Sequence, residues 1–314
     1  MREARKFAER TSFRSDDKPR KKFFLVYEGE KTEQIYFDSL NQLRDDVGIS
    51  PLIELIPLVR DYSERGWSNP QKIVGRIREN IMAHQMRSVT YETVMNGIME
   101  YMIDQGILVK HSLAKQVMWK ELLEALPEGK TISDLVPEAN VESVCGQIMK
   151  NVSYKNDIEG MMTELSGVIM DKAYLYMKDY DAICFIVDRD RGSFSKEQYM
   201  KVAKLCEENA YRLYISNPCF EFWLLMHFEG IEGLDKDKVL ENCEVSNKFN
   251  YVSNELRIKD NGYSKNHYNA HKLIVDGLDI AIRNEKYFCE DLYGLEHDIG
   301  SNIGLLIEKL RKND

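Results

Sequence analysis

The stretch Lys22-Phe23-Phe24-Leu25-Val26-Tyr27-Glu28-Gly29-Glu30-Lys31-Thr32-Glu33 decides the fold. Its apolar part is short, aromatic and β-branched, and it runs straight into an acidic turn, which is the pattern of a buried strand. Gly29 permits the sharp turn that follows. Thr32 is expected to cap a helix carrying Ile35, Tyr36, Leu40 and Leu43 at helical spacing. A carboxylate at the tip of a parallel strand lies where open α/β sheets bind ligands. Two readings of Glu28 are open: a solvated turn acid, or an acid held for a cation, because an unpaired buried carboxylate is costly.

A second strand end of this kind lies far along the chain. Asp181-Ala182-Ile183-Cys184-Phe185-Ile186-Val187 is an apolar run ending in Asp188-Arg189-Asp190-Arg191-Gly192. Parallel strands of one sheet present their C-terminal ends on one edge. Asp190 follows Asp188 by two residues, so strand periodicity puts both on one side. Glu28, Asp188 and Asp190 converging there would repel unless a cation is present. A hard divalent ion with oxygen ligands, Mg²⁺ or Mn²⁺, answers that repulsion. Such an ion binds a phosphodiester and lowers the pKa of an attacking water.

Between these ends the chain alternates. Pro51–Leu58 reads as a strand, and Asn69-Pro70 as the start of a helix bearing Ile73, Ile77 and Ile81. Residues 23–86 and 178–228 therefore make one α/β domain. From 87 to 177 apolar residues recur at helical spacing: Val94, Ile98, Met102; Val117, Leu122, Leu126; Met161, Leu165, Ile169. This is read as an inserted helical subdomain, its Met-rich faces serving either as a core or as a partner's dock. Ser195 and Gln198 form a capping box. Tyr211–Ile215 is a further strand. After it, Asn217 is expected to cap, and Pro218 to open, a buried helix through Phe220, Trp223, Leu224 and Phe228, with Glu221 in its first turn. Residues 229–314 read as a helical C-terminal region.

The chain has 314 residues, 43% hydrophobic and 30% charged, with a net charge of −9. That supplies no global pull toward nucleic acid, so any such binding uses local patches. One candidate is the arm 1–22, where nine basic residues face four acidic ones; it is either a solvated tail or a phosphate-seeking arm. Another is 246–272, where Lys248, Arg257, Lys259, Lys265 and Lys272 interleave with Tyr251, Tyr263, Tyr268, His267 and His271; it is either a surface for backbone contact and base stacking or a mixed surface around a helix hairpin. The apolar runs are too short for a membrane span. Six scattered cysteines and no secretory apolar stretch point to reduced thiols in the cytoplasm.

Three segments together resemble the RloB-like family, which is related to the Toprim domains of topoisomerases, primases and OLD-type nucleases. They are Glu28-Gly29-Glu30-Lys31-Thr32-Glu33 with Tyr36-Phe37, Val187-Asp188-Arg189-Asp190, and Ser216-Asn217-Pro218-Cys219-Phe220-Glu221-Phe222-Trp223-Leu224-Leu225. Asp298-Ile299-Gly300-Ser301-Asn302-Ile303 is similar to the family's closing segment. The resemblance covers roughly 15–86 and 178–314. It implies a Toprim-like parallel sheet flanked by helices. It also implies Glu28 as metal ligand or general acid/base, Asp188 and Asp190 as metal ligands, and Glu33 as the second acid of OLD-type nucleases. Lys31 would steady a phosphate oxygen, Glu30 is a further candidate, and Asn217 and Glu221 line the site or cap the helix.

The activity implied is a metal-dependent endonuclease acting on DNA or RNA, an abortive-infection effector working beside an ABC-type ATPase. The chain has no Walker-type loop, so that ATPase would be a separate partner; whether the chain forms a homo-oligomer is open. Two other classes compete. A haloacid-dehalogenase-like phosphohydrolase would use Asp188 as nucleophile and Ser216 as its second motif, but leaves Glu28 unexplained. A non-catalytic module would bind metal, nucleic acid or an ATPase without cutting.

Overall fold

The structure is a computed structural model that describes residues 20–28, 31–58, 70–85, 88–104, 106, 108, 113–151, 180–247, 249–264 and 267–312. The arm up to residue 19, Glu30, Asn69, Met161, Leu165, Ile169, Lys248 and Lys265 lie outside these residues. The elements run β1 (Lys21–Tyr27), α1 (Thr32–Gln42), β2 (Ile53–Leu58), α2 (Pro70–Gln85), β3 (Ser88–Thr90), α3 (Tyr91–Asp104) and α4 (Leu113–Glu124). Then come β4 (Leu135–Pro137), α5 (Val141–Asn151), β5 (Ala182–Asp188), α6 (Lys196–Glu208), β6 (Arg212–Asn217) and α7 (Phe220–Leu225). The chain closes with α8 (Lys236–Glu241), β7 (Glu244–Ser246), β8 (Phe249–Asn250), α9 (Tyr251–Lys259), α10 (Ala270–Glu285), β9 (Gly300–Ser301) and α11 (Ile303–Lys312).

The protein is α/β, with a mostly parallel five-stranded sheet flanked by helices, in the order β2-β1-β5-β6-β9. The first four strands are parallel and β9 is antiparallel. The tips of β1, β5 and β6 therefore share one edge. Both faces of β1 and β5 are buried, which explains their unbroken apolar runs. Phe23, Leu25, Tyr27, Cys184, Ile186 and Tyr214 join Tyr36, Phe37, Leu40, Trp223 and Leu306 in one core. Inside it, His227 Nδ1 donates to the Trp223 carbonyl (3.1 Å) and Nε2 accepts from the Tyr36 hydroxyl (3.0 Å). Burial lowers the His227 imidazole to about 4.

The chain forms two compact units. One comprises residues up to 58, 178–190 and 211–314; the other comprises 59–177 and 191–210. The second unit has its own core of Val94, Met95, Ile98, Met102, Met118, Leu122 and Ile148, and a short β3–β4 ribbon. Helices α2 and α6 pack on each other and group with this unit, so the compact division falls inside the α/β domain drawn from sequence. Val117, expected in the helical core, is exposed, because Met118 and Leu122 supply the buried face of α4.

The C-terminal region is not helical alone, since it returns β9 to the sheet. The Asn302 side chain accepts the Ile215 N–H (2.6 Å), and Asn217 Nδ2 donates to the carbonyls of Leu295 and Asp298 (both 2.9 Å). A Cβ placed on Gly300 would overlap the Cys289 backbone, so glycine is required at this crossing. At the next helix, buried Glu285 accepts the Gly304 N–H (2.7 Å), and burial pushes its carboxyl up to about 8. Among the described residues no helix is long and apolar enough to cross a membrane.

Candidate active site

Pairing of β1 with β5 sets Tyr27 opposite Ile186, so Glu28 emerges beside the tip of β5. Its backbone N–H donates to the Ile186 carbonyl (3.1 Å), and its Oε2 accepts the Asp188 N–H (3.0 Å). Glu28 and Asp188, 160 residues apart in sequence, are thus joined directly. Asp188 lies opposite Ser216 on β6, and its Oδ1 accepts the Phe220 N–H (2.8 Å) at the start of α7. Asp188 therefore supplies the helix cap expected of Asn217. Asn217 instead ends β6, with its amide nitrogen donating to the closing segment and its Oδ1 buried away from the helix N–H groups, and Cys219 precedes the first helical residue. Thr32 likewise does not cap α1; it is the first helical residue, after Lys31.

Glu33 in the first turn of α1 and Glu221 in the first turn of α7 are both buried. Desolvation raises the Asp188 carboxyl well above the ordinary carboxylate range, and the charges of Glu33, Glu221 and Glu28 raise it further. Four carboxyl groups from three chain segments therefore share one small region. Glu28 accepts the Asp188 N–H, Asp188 accepts the Phe220 N–H, and Glu221 Oε1 accepts the Tyr263 hydroxyl (3.2 Å).

Of the remaining predicted residues, Lys31 is exposed at the head of α1. Asp190 is exposed two residues beyond the end of β5, so the strand alternation expected to align it with Asp188 stops before reaching it. The intervening Arg189 is buried and bonds Glu296 twice, from Nη2 to Oε1 (2.9 Å) and from Nε to the carbonyl (3.1 Å). Ser216 is buried with its hydroxyl against that of Ser301 (3.2 Å). Tyr263 and Tyr268, expected on either a base-stacking or a mixed surface, are buried instead. The Tyr268 hydroxyl donates to the Thr32 carbonyl (2.8 Å), and the two rings lie 5.9 Å apart. No signal in the sequence pairs these tyrosines with the acids, because the partners are distant and the surrounding stretch is polar.

The donor set is all oxygen, which suits a hard divalent cation. Among the described residues no three His, Cys, Asp or Glu side chains stand at metal-holding spacing. Mg²⁺ binds through one or two carboxylates plus water and substrate phosphate, so these residues fit it.

No curated protein and no solved structure matches the chain. The family model described as RloB-like protein matches residues 23–310, from the first strand through the last helix. By that match, which includes both acidic strand ends, the chain belongs to the RloB-like family.

Proposed function

We propose that this protein is a metal-dependent endonuclease of Toprim type, cleaving nucleic-acid phosphodiesters as the effector of an anti-phage, abortive-infection system. The observation that carries this reading is the direct bond from Glu28 to Asp188 within a cluster that also holds Glu33 and Glu221. Like charges placed together at a sheet's carboxyl edge favour a function over a structural role.

Asp188, Glu28 and Glu33 would hold Mg²⁺ or Mn²⁺, with Asp190 adding an exposed carboxylate. The bound ion would offset the negative charge developing on a phosphodiester and acidify a water. Glu28 positions Asp188 through its backbone, and Asp188 in turn fixes the start of α7 that bears Glu221. Lys31, exposed beside them, would meet a phosphate oxygen.

An ABC-type ATPase remains a separate partner in this reading. The tripeptide Gly129-Lys130-Thr131 is a turn in which Thr131 bonds Asp134 (2.7 Å). Glu124 stands where a phosphate loop requires its first glycine. The buried Ser216 hydroxyl speaks against a phosphohydrolase, whose second motif would face the phosphate. The non-catalytic module draws support from the lack of three acids at ligand spacing among the described residues.

The test is cleavage of labelled DNA, RNA and tRNA with Mg²⁺ or Mn²⁺, beside a small phosphate ester. Expected is nucleic-acid cleavage reduced by roughly 10³-fold or more in Glu28→Gln and Asp188→Asn. Cleavage surviving in Asp188→Asn defeats the assignment. Ion binding without turnover in the wild type selects the module.

A further inference from the structure

Two tyrosines of the C-terminal region reach the two helices that carry the buried acids. Tyr263 donates its hydroxyl to Glu221 Oε1 on α7, and Tyr268 donates to the Thr32 carbonyl, one residue before Glu33 on α1. Both rings are buried and lie against each other. Ser264 and His267, each beside one of the tyrosines, exchange reciprocal backbone bonds (2.9 Å each). The helices are otherwise far apart in sequence and enter the site from β1 and β6. A protein that only needed to fill this space would use phenylalanine, since an aromatic hydroxyl in the interior requires a partner. Here each hydroxyl ends on an acid or on the turn that presents one.

We infer that Tyr263 and Tyr268 are positioning residues that set the spread of the acid cluster, holding Glu221 and the first turn of α1 in the geometry that receives a divalent cation. The inference rests on the cation-binding reading above and names a part of the site that neither the sequence motifs nor the family match assigns. Tyr263 acts on the carboxylate itself. Tyr268 acts through backbone, so its effect is smaller. A group that orients a metal ligand from behind typically governs affinity by about 10–100-fold.

The test uses the full chain and Mn²⁺ alone, followed by calorimetry and by the ion's electron paramagnetic resonance. Tyr263→Phe keeps the ring and removes the hydroxyl. It is expected to weaken Mn²⁺ binding by about 10-fold, and Tyr268→Phe by less. Tyr214→Phe, a buried tyrosine on β6, serves as the control and leaves affinity unchanged. In a Glu221→Gln background, Tyr263→Phe should add little further loss, because the hydroxyl acts through that one carboxylate. A merely structural hydroxyl would lower the melting temperature and leave Mn²⁺ affinity as in the wild type. That result in both Phe variants overturns the inference while the nuclease reading stands. A wild-type protein that binds no Mn²⁺ overturns both.

Discussion

Two groups of buried charge lie at the same sheet edge and are built on opposite plans. Arg189 and Glu296 pair opposite signs, with the guanidinium also bonded to the Glu296 backbone. One residue earlier, Asp188 faces Glu33, Glu221 and Glu28, all of one sign. The first arrangement compensates itself and ties the closing segment to β5. The second gathers like charges at the tips of neighbouring strands. Adjacent positions of one motif thus divide the work, Arg189 securing the edge and Asp188 serving it.

Breaking the compensated pair should give the largest change in stability. Arg189→Met takes the guanidinium away from the buried Glu296 carboxylate, which keeps only weaker company such as the exposed His297 ring (3.5 Å), and is expected to cost about 3–5 kcal/mol in urea unfolding. Asp188→Asn in metal-free buffer should leave stability unchanged or raised, since it removes a repelling charge and Asn can still accept the Phe220 N–H. A loss above about 2 kcal/mol in Asp188→Asn, or none in Arg189→Met, would erase the contrast.

Glu285 sharpens the comparison as a third case, a buried acid held by a backbone N–H. Its carboxyl rises from 4.5 to about 8, so the folded chain binds the extra proton and stability falls as pH rises between those values. His227 drops from 6.5 to about 4, so its contribution to stability rises with pH across that window. The two slopes oppose each other from about 4.5 to 6.5, and above 6.5 the Glu285 decline remains, joined by that of Asp188, whose carboxyl is also raised. Melting temperature should therefore fall from pH 6.5 to 8, and Glu285→Gln should flatten that fall. The smallest effect belongs to the exposed pair Lys201–Glu197 (2.8 Å). Solvent screens such a pair, so Lys201→Ala should leave the urea midpoint unchanged within error.

Much of this architecture was legible in sequence because it is written locally. The apolar runs located β1, β5 and β6, and their acidic ends marked the edge where Glu28 and Asp188 meet. Pro70 opens α2, and Ser195 with Gln198 forms the capping box expected of them. What escaped was non-local. Thr32 and Asn217 looked like caps, but Asp188, from another strand, takes the helix N–H group that Asn217 was expected to satisfy. Tyr263 and Tyr268 sit among basic residues and looked solvent-facing, yet each points inward to a partner 42 or 236 residues away. Asp190 looked aligned with Asp188 because alternation was extended past the last strand residue.

The join between Glu28 and Asp188 has a consequence for the long excursion between them. Neighbouring strands open and close that excursion, so its ends are fixed by the sheet whatever hangs outside. Doubling a flexible closed loop costs only about 0.6 kcal/mol. The part of that excursion beyond β2 is therefore nearly free to be shortened, enlarged or exchanged, while α1 and β2 stay with the sheet and the two carboxylates stay a single hydrogen-bonded reach apart.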